Sequence, residues 1–425
     1  MTINKMNISK NLKQYMQLII DNGYECFLVG GAVRDYLLNV ENKDYDFCTN
    51  IPLDRLKSLI PQVTIMKENK HRNTGIIRTN GYDIEFSTYI GSNLKEDLSN
   101  RDFTMNAIAV DVDGNYIDYY DGINSINKKI ISLVKENGEG LKSDPLRILR
   151  AIRQALKCKF EIDDNTKKQM ISKKNLLGTV APERIYNEFK QIIMFENVGY
   201  YLNNYKEIFF ELIPELKRCD GFDQHNEYHV YDIYSHTIKV IENSPSKIYV
   251  KIASLFHDIG KPSKYYLDDK GIGHFLNHAQ ISNDIFRKFA KKYKLDNKSK
   301  KIISDLVLYH EDSLSEKSNK IYNFYKKFNM NRIELLFDLK RADILSQNPK
   351  FNYRIDKLNK LEKKYIDIRD KYNSIAYSGA DLIKLGYTGK IIKEIIDDIK
   401  RQIINNRLSQ GKSIINEYVK KNYPI

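Results

Sequence analysis

The hydrophobic pattern of this chain changes near residue 140, and the change restricts the folds open to it. Before that point apolar and polar residues alternate in short stretches, at 44–48, 62–66, 74–79, 82–89 and 107–112, with the period of strands. After it, apolar residues recur every three or four positions, with the period of helices. The sequence therefore predicts an α+β fold, in which a small mixed-sheet head precedes an elongated all-α neck, body and tail.

The chain is long enough for several domains. Its 425 residues correspond to about two to four domains of ordinary size, and residues 215–228 look like a linker. The predicted domains are a head at 1–135, a helical neck at 136–215, a helical body at 216–350 and a helical tail at 351–425.

Nothing in the sequence predicts a membrane segment or a disulfide framework. No stretch approaches the roughly 18 consecutive apolar residues of a membrane span, and the first residues do not resemble a signal peptide. We therefore expect a soluble cytoplasmic protein. No C-x-x-C pair occurs, so we expect four reduced thiols, at Cys26, Cys48, Cys158 and Cys219.

The charge of the chain has two explanations. A net charge of +14 is sufficient to attract a polyanion such as nucleic acid. However, the abundance of Lys, Asn, Ile and Tyr is also what AT-rich coding produces. Both explanations stay open.

Two carboxylates lie in one alternating stretch of the head. Asp44 and Asp46 are two positions apart, so their side chains leave the same face of a strand, with Cα atoms about 6 to 7 Å apart. Such a pair can hold the magnesium ions that phosphoryl transfer requires. Glu85 is the candidate third carboxylate, and Asp83 is its competitor. The alternative interpretation is a pair of solvated carboxylates in a turn.

A glycine pair precedes these carboxylates. Gly30 and Gly31 follow a short apolar stretch and precede a predicted helix, so backbone N–H groups there could approach a triphosphate. Arg34 lies one helical turn further on and could reach the same anion, and Asp35 could orient a neighbouring arginine.

The neck opens on a predicted helix start. Asp144 stands at the expected N-cap and Pro145 at the first helical position, and apolar residues then follow on one face. In such a helix Asp144 and Arg147 would share a face. An aspartate accepts hydrogen bonds from an amino group, and an arginine donates them to a base edge.

The predicted body contains a cluster of histidines. Seven of the eight histidines lie between residues 225 and 310. Imidazole and carboxylate groups together suit Mn, Ni, Fe, Zn or Mg. The alternative for each histidine is an ordinary core or surface residue, which is the stronger interpretation for His225, His229 and His274. The predicted ligands are His236, His257, Asp258 and Asp343, with His278 and His310 as further candidates.

These motifs together resemble a known family. The stretch FLVGGAVRDYLLNVENKDYDFCTN at 27–50 is similar to the signature of tRNA CCA-adding enzymes and bacterial poly(A) polymerases, a branch of the polymerase-beta-like nucleotidyltransferases. Further motifs of the family are resembled by LSNRDFTMNA at 98–107, SDPLRILRAIRQA at 143–155, APERIYNEF at 181–189 and GADLIKLGYTGKIIKEII at 379–396. The histidine set resembles an HD-type metal-dependent phosphohydrolase domain, which some bacterial CCA-adding enzymes carry.

The resemblance implies a role for each matching residue. Asp44, Asp46 and Glu85 would be catalytic, with Mg²⁺ on the two aspartates. Asp144 and Arg147 would read the base of the incoming nucleotide in place of a template, and Arg150 and Arg153 extend their basic stripe. The remaining nucleotide-binding residues would be Gly30, Gly31, Arg34 and Asp35 near the phosphates, and Arg101, Asp102 and Asn106 near the ribose.

The implied reaction is addition of C and A to the 3′ end of tRNA from CTP and ATP. The expected partners are therefore tRNA and these nucleotides, with no membrane and no DNA. The HD-like body would be a phosphodiesterase or phosphatase acting on RNA ends, with a divalent transition metal as its cofactor, or a helical scaffold for tRNA.

Three departures from the family pattern keep alternatives open. Ser143 replaces the usual glutamate, and Asn100 leaves the ribose motif with the single arginine Arg101. The flexible loop, here 89–97, is shortened, which in the family marks enzymes that add only CC. The alternatives are therefore a CC-adding enzyme, a poly(A) polymerase, and an HD phosphohydrolase with an inactive, RNA-binding head.

Overall fold

The structure is a computed structural model that describes residues 4–66, 74–79 and 81–425. The chain forms two compact units, the first comprising Met1–Phe195 with Tyr205–Leu212 and the second Glu196–Asn204 with Ile213–Ile425. The predicted α+β class is confirmed, with the sheet in the first unit and helices dominating the second. The four predicted domains divide the chain more finely than these units, and their boundaries stay predictions.

Seven strands of the first unit form one mixed sheet. The strands are β1 (Cys26–Val29), β2 (Asp44–Thr49), β3 (Thr64–Met66), β4 (Thr74–Arg78), β5 (Asp83–Thr88), β6 (Ile108–Val110) and β7 (Tyr116–Asp118). Their order in the sheet is β3-β4-β5-β2-β1-β6-β7. The strands β2 and β5 run parallel, because the chain between them crosses over through a helix and the β3–β4 pair, whereas β1–β2 and β4–β5 are antiparallel.

The side chains of β2 alternate between two environments. Phe47 is buried and stacks on Phe86 of β5, with ring centroids 5.2 Å apart. Cys48 points to the opposite face, where it joins a buried cluster with Val29 and Leu98. The first residues of β2 on that second face are polar, and they lie where the cluster ends. The sheet thus has one apolar face and one face that is polar only at its edge.

The helices of the first unit pack around this sheet and extend the chain beyond it. A short parallel pair, β8 (Ile130–Ile131) and β9 (Glu161–Ile162), connects the two parts. The helices are α1 (Lys10–Asp21), α2 (Gly31–Leu37), α3 (Leu53–Leu59), α4 (Leu94–Ser99), α5 (Gly122–Lys128), α6 (Glu139–Ser143), α7 (Arg147–Cys158), α8 (Asp164–Ser172), α9 (Pro182–Ile193) and α11 (Lys206–Leu212), with α10 (Val198–Asn204) in the second unit.

The start of α7 differs from the prediction. Asp144 is extended, with φ −140° and ψ 91°, and its side chain does not cap the helix. Pro145 and Leu146 form a tight turn, and α7 begins only at Arg147. The expected helix start at Pro145 is therefore wrong by two residues, because α6 ends directly before Asp144 and the chain must turn between the two helices.

The second unit is a helical assembly with one two-stranded hairpin, β10 (Tyr266–Leu267) and β11 (Gly273–His274). Its last three helices bury a core of their own around Leu382, Ile399 and Val419. The helices are α12 (Ile233–Asn243), α13 (Ile248–Phe256), α14 (His278–Lys292), α15 (Asn297–Tyr309), α16 (Ser318–Lys327), α17 (Ile333–Leu345), α18 (Arg354–Asn373), α19 (Gly379–Lys384), α20 (Ile391–Ile404) and α21 (Lys412–Asn422).

Within the described residues, every helix is too short or too polar to cross a membrane.

Candidate functional sites

Four carboxylates form a row across two strands of the first unit. In the parallel β2–β5 pair, Asp44 lies beside Asp83, and Asp46 lies beside Glu85. Residues paired in this way project from the same face, about 4.8 Å apart between strands. Both candidates for the third carboxylate, Asp83 and Glu85, are therefore on the face of the D-x-D pair. Carboxylate oxygens are the preferred ligands of Mg²⁺, so the row suits a divalent cation, which would also relieve the repulsion between them.

The turn at Gly30 leaves room for the Arg101 guanidinium to approach this row of carboxylates. Its φ of +73° is a conformation that favours glycine. A Cβ at this position would lie 3.0 Å from Arg101 Nη1 and 3.3 Å from Asp46 Oδ2, so only glycine lets these two side chains approach the turn. Arg101 is held from its other side by Asp97, with Nη2 3.1 Å from Oδ2. The turn therefore places one guanidinium beside the carboxylates.

The Arg34 side chain is occupied by internal contacts. It is 3% exposed, and it donates to Asp35 Oδ1 at 2.6 and 2.8 Å and to Asn106 Oδ1 at 2.7 Å. Lys157 of α7 reaches the other oxygen of Asp35 at 3.3 Å. Asp35 orients a neighbouring arginine, as the sequence predicts, and this arginine is Arg34. The predicted contact of Arg34 with phosphate would require some of these donors to be released.

Asp102 extends this network to α7. Its Oδ1 accepts from Asn106 Nδ2 at 2.9 Å, and its Oδ2 lies 3.0 Å from Arg150 Nη2. Burial by itself would raise the pKa of Asp102, but Arg150, Asn106 and Arg147 together lower it. Asp102 is therefore held as an anion among donors, at the place where the sequence predicts recognition of the ribose.

The two predicted base-reading residues are close together but do not share a helix. Arg147 donates to the backbone carbonyls of Asn100 and Arg101, the latter at 3.2 Å. Asp144 precedes the helix and lies 3.5 Å from Arg184 of α9. Burial lowers the pKa of Arg147, and the charges of Asp102 and Asp144 act in the opposite direction.

Arg153, the last residue of the predicted basic stripe, has a structural partner. Its Nε lies 2.6 Å from Glu188 Oε2 on α9. The pairing joins α7 to α9, so this guanidinium is engaged between two helices of the first unit. Neither Arg184 nor Glu188 was singled out from the sequence, although both belong to the APERIYNEF motif.

The second unit gathers the predicted histidines and aspartates into one buried cluster. His236 Nε2 lies 3.0 Å from Asp343 Oδ1 and 3.6 Å from Asp258 Oδ2. His257 Nε2 lies 3.2 Å from Asp258 Oδ2. The other oxygen of Asp258 is 3.0 Å from His278 Nε2 and 3.5 Å from His310 Nε2. All six predicted ligands therefore meet, with Asp258 at the centre.

The four imidazoles share one orientation. In each ring Nδ1 faces a backbone carbonyl, at distances between 2.7 and 3.3 Å, an arrangement that suits metal ligation because the carbonyl can accept the Nδ1 proton while Nε2 faces the cluster. His278 and His310 bring their Nε2 atoms within 3.2 Å of each other. The carbonyls belong to Ser346 for His236, Ser254 for His257, Phe275 for His278 and Val307 for His310.

The cluster contains two groups of ligands that could each hold a metal ion. His236, His257 and Asp258 form one group, and Asp258, His278 and His310 form the other. Within the described part of the chain, the buried Nε2 of His257 makes no well-aligned hydrogen bond, although it lies 3.2 Å from Asp258 Oδ2. A bound cation would account for the converging Nε2 atoms and for a buried nitrogen of this kind. The donors present therefore fit one or two divalent ions.

Two residues of this site carried little or no signal in the sequence. Lys261, three residues after Asp258, lies 2.6 Å from its Oδ2. His229 stacks edge-on against His236, with ring centroids 4.7 Å apart, and burial beside Lys261 lowers its pKa to about 3. His225 and His274 contact Tyr265 and Asp268 instead, at 2.9 and 2.8 Å.

A cavity of about 1120 Å³ opens on the cluster. Its lining includes Asp258, His278, His310 and Asp343, together with the basic residues Lys261, Lys340, Arg354 and Lys357. Burial lowers the pKa of Lys340 to about 8, although Asp343 and Asp312 act in the opposite direction. The cluster of histidines and aspartates is thus accessible from a cavity whose lining contains these basic residues and the further carboxylates of Glu311 and Asp312.

Comparisons with known families match both units. The Poly A polymerase head domain family matches residues 26–92 and 85–132, which include the carboxylate row. The family described as "Probable RNA and SrmB- binding site of polymerase A" matches residues 159–218, and the HD domain family matches residues 228–348.

Similar proteins cover nearly the whole chain. The CCA-adding enzyme of Lactococcus lactis is 26% identical over 433 residues, which cover 96% of each chain. The crystal structure of the Bacillus stearothermophilus CCA-adding enzyme in complex with CTP has a TM-score of 0.68 at 21% identity and covers 96% of each chain. The Thermotoga maritima CCA-adding enzyme complexed with tRNA has a TM-score of 0.66 at 18% identity, over 97% of this chain and 96% of that one.

Proposed function

This chain belongs to the family of CCA-adding enzymes and bacterial poly(A) polymerases that carry an HD domain, and we propose that it adds C and A to the 3′ end of tRNA. The reaction is attack of the tRNA 3′-hydroxyl on the α-phosphorus of CTP or ATP, with release of pyrophosphate. The observation that carries the proposal is the row of carboxylates on β2 and β5, next to the turn at Gly30. With tRNA as substrate, the place of action is the cytoplasm.

Asp44, Asp46 and Glu85 would hold Mg²⁺. When bound, this ion neutralises the triphosphate and lowers the pKa of the attacking hydroxyl. The chain itself contributes Arg101, whose guanidinium stands beside Asp46 at the Gly30 turn and can neutralise a phosphate there. Asp102 and Asn106 form the adjoining hydrogen-bonding surface, which suits the hydroxyl groups of a ribose.

The choice between nucleotides would belong to Asp144 and Arg147. Both lie at the junction of α6 and α7, and the Arg147 guanidinium is held by backbone carbonyls of the ribose motif. Its fixed orientation suits donation to the edge of C or A, while the Asp144 carboxylate can accept from the exocyclic amino group of either base. A single pair of side chains would thereby replace a template strand.

The proposal is tested by extending tRNA transcripts that end at the discriminator base. Full-length chain and Mg²⁺ are supplied with CTP alone, ATP alone or both, and product length is read on a sequencing gel. Three added nucleotides with both substrates support CCA addition. Two added nucleotides would identify a CC-adding enzyme, and a long ATP-dependent product would identify a poly(A) polymerase. No extension under any condition would contradict the nucleotidyltransferase proposal.

A second function is favoured by the metal cluster of the second unit. We propose that His236, His257, Asp258 and Asp343 hold one divalent ion, and that His278 and His310 share Asp258 to hold another. Bound ions of this kind activate water for attack on a phosphate ester. The cavity beside the cluster, with Lys261 and Lys340 in its lining, suits the phosphate at an RNA end.

This second function has its own assay. The full chain is freed of metal, reconstituted with Mn²⁺, Ni²⁺ or Mg²⁺, and incubated with RNA ending in a 3′-phosphate or a 2′,3′-cyclic phosphate. We expect metal-dependent release or opening of the terminal phosphate, lost in Asp258→Asn. Persistence of the reaction in that variant would contradict the assignment, and absence of any reaction would leave the cluster as a scaffold.

A further inference from the structure

The cavity of the second unit is larger than a phosphate requires. Its volume of about 1120 Å³ is slightly above the range of roughly 300 to 1,000 Å³ for ligand pockets, and a metal-bound phosphate would fill only a small part of that space. Besides the metal ligands, the lining contains Tyr228, Tyr353 and Arg354. These side chains define what else the cavity could accommodate.

Tyr228 is an exposed aromatic residue with a fixed backbone. It is 44% exposed, yet its N–H donates to Asn226 Oδ1 at 3.1 Å and its carbonyl accepts from Asn348 N–H at 2.8 Å. Phe351 packs against its ring, with centroids 4.5 Å apart. An aromatic ring held in this way while open to solvent is typical of a stacking platform.

Arg354, the first residue of α18, lies over this ring. Its Cζ is 5.9 Å from the centroid of Tyr228, and the two side chains form what we call the Tyr228–Arg354 wall. Arg354 Nη1 donates to Gln347 Oε1 at 2.9 Å, and Gln347 Nε2 donates to Asp343 Oδ2 at 3.1 Å. One buried glutamine therefore sets the distance between the wall and a metal ligand.

The guanidinium of the wall suits an anion. Arg354 donates to the neutral amide oxygen of Gln347, so this contact does not cancel its charge. Lys340 donates to the backbone carbonyls of His310 and Asp312, and the carboxylates of Glu311 and Asp312 also line the cavity, so Arg354 is the cation of the wall itself. An anionic ligand with a flat, stackable group would match the metal ions, the cations and the aromatic surface at once.

We infer that the Tyr228–Arg354 wall binds an unpaired nucleobase of the phosphoester whose phosphate lies at the metal cluster. The inference rests on the second function proposed above and extends it, because it assigns the substrate as a nucleotide or an RNA end and names the residues that select it. Tyr353, which is 70% exposed in the same lining, adds further aromatic surface for a neighbouring base.

Binding, rather than turnover, gives the test. The full chain loaded with Mn²⁺ is titrated with adenosine 3′-monophosphate and with ribose 5-phosphate, which lacks the base. We expect the adenosine phosphate to bind more tightly, and Tyr228→Ala to weaken it about tenfold, as the loss of one base stack does, while ribose 5-phosphate is unaffected. Tyr228→Phe should retain most of the affinity, and Arg354→Met should reduce it.

The matched control is Tyr200→Ala. Tyr200 is 49% exposed in the second unit, and it is not among the described residues that line the cavity. All these substitutions lie in the second unit and leave the head unchanged. Nucleotide binding by the head therefore contributes equally to wild type and variants, and it cancels when their affinities are compared. No preference for the adenosine phosphate, or an equal loss for both ligands in Tyr228→Ala, would overturn the inference.

The same variants separate the inference from the function on which it rests. If the reconstituted chain hydrolyses no RNA end but Tyr228→Ala still loses affinity for the adenosine phosphate alone, then the hydrolase proposal fails and the base wall stands. If hydrolysis occurs with equal kcat/KM in wild type and Tyr228→Ala, then the hydrolase stands and the base wall is wrong.

Discussion

At the scale of single residues, the carboxylate row shows how strand register decides chemistry. Asp83 and Glu85 are equally placed by the alternation of β5, and the sequence leaves the choice between them to the family resemblance. The register separates them, because Glu85 lies beside the half-buried Asp46, which contacts the Gly30 turn, whereas Asp83 lies beside the exposed Asp44 at the sheet edge. Glu85 is therefore paired with the aspartate that lies at the Gly30 turn together with Arg101.

Substitution of the two candidates gives the first prediction. Glu85→Gln should lower the rate of C addition at least about a hundredfold, because it removes a charged ligand worth several kcal/mol in the transition state. Asp83→Asn is the matched variant and should cost less than about tenfold. The measurement is single-turnover extension of tRNA with CTP. Equal losses in the two variants would contradict the choice of Glu85.

The guanidinium of Arg147 carries the second prediction. Arg147→Ala should reduce discrimination between correct and incorrect nucleotides by about 1 to 3 kcal/mol, because a bidentate contact to a base edge is lost. Incorporation from mixtures of CTP, ATP, GTP and UTP measures this choice. Arg55→Ala, an exposed arginine on α3, controls for loss of positive charge in general. Unchanged selectivity in Arg147→Ala would refute the base-reading role.

At the scale of helices, Gly260 sets the approach of α14 to the segment that carries His257 and Asp258. A Cβ on Gly260 would lie 2.7 Å from both the carbonyl oxygen of His278 and the backbone nitrogen of Ser282. Both are main-chain atoms, so no change of side-chain rotamer can relieve the clash. The sequence predicts this glycine as the end of a helix, yet its φ of −83° is accessible to any residue, so its function is close packing.

Gly260→Ala is therefore the third prediction. The methyl group should separate α14 from the metal-binding segment and lower the free energy of unfolding by about 1 to 3 kcal/mol. Weaker metal binding should accompany it, because α14 carries His278. Chemical denaturation with and without Mn²⁺ measures both effects. Gly178→Ala, where a Cβ would meet no atom within 4 Å, is the control, and equal behaviour of the two variants would exclude the packing role.

What the sequence could predict depends on how local the signal is. Alternation located the strands that carry Asp44, Asp46 and Glu85, because side-chain period is a local property. It misplaced the start of α7, because Pro145 permits both a first helical turn and a tight turn, and only the packing of α6 against α7 decides between them. Spacing likewise could not place Asp144 beside Arg184, which is on another helix.

Contacts between distant segments carried no signal in a single sequence. The six proposed metal ligands could be found because the chain has only eight histidines and seven of them lie between residues 225 and 310. Gln347 and Arg354 could not, because glutamine and arginine are ordinary surface residues. Gln347 is four positions from Asp343, whereas only the fold brings Arg354 to Tyr228. The resemblance to HD domains indicates the metal ligands but does not indicate which residues line the cavity.

At the scale of the whole molecule, the two proposed chemistries lie in different compact units of the chain. The carboxylate row and the proposed base-reading residues belong to the first unit, and the histidine–aspartate cluster with its cavity belongs to the second. A ligand stabilises the folded state of the unit that binds it, by about 2.7 kcal/mol when its concentration is 100 times Kd. The two chemistries should therefore be distinguishable by stability.

The fourth prediction follows from this division. Calorimetry of the full chain should show two unfolding transitions. CTP with Mg²⁺ should raise the midpoint temperature of one, and Mn²⁺ should raise the midpoint temperature of the other. Asp258→Asn should remove the Mn²⁺ response of the second transition while the CTP response stays intact, since Asp258 belongs to the second unit. A loss of both responses in Asp258→Asn would show that the units do not unfold independently.

The position of Asp258 also bears on how such a chain could change through descent. Because both ligand groups contain this aspartate, its replacement abolishes both at once, whereas replacement of His278 or His310 leaves His236, His257 and Asp258 intact. Loss of His236 or His257 likewise leaves Asp258, His278 and His310 intact, so gradual decay can begin at the histidines of either group but not at Asp258. Lineages that have lost a histidine of one group and kept Asp258 are the expected intermediates, because prior loss of Asp258 leaves nothing for selection to maintain.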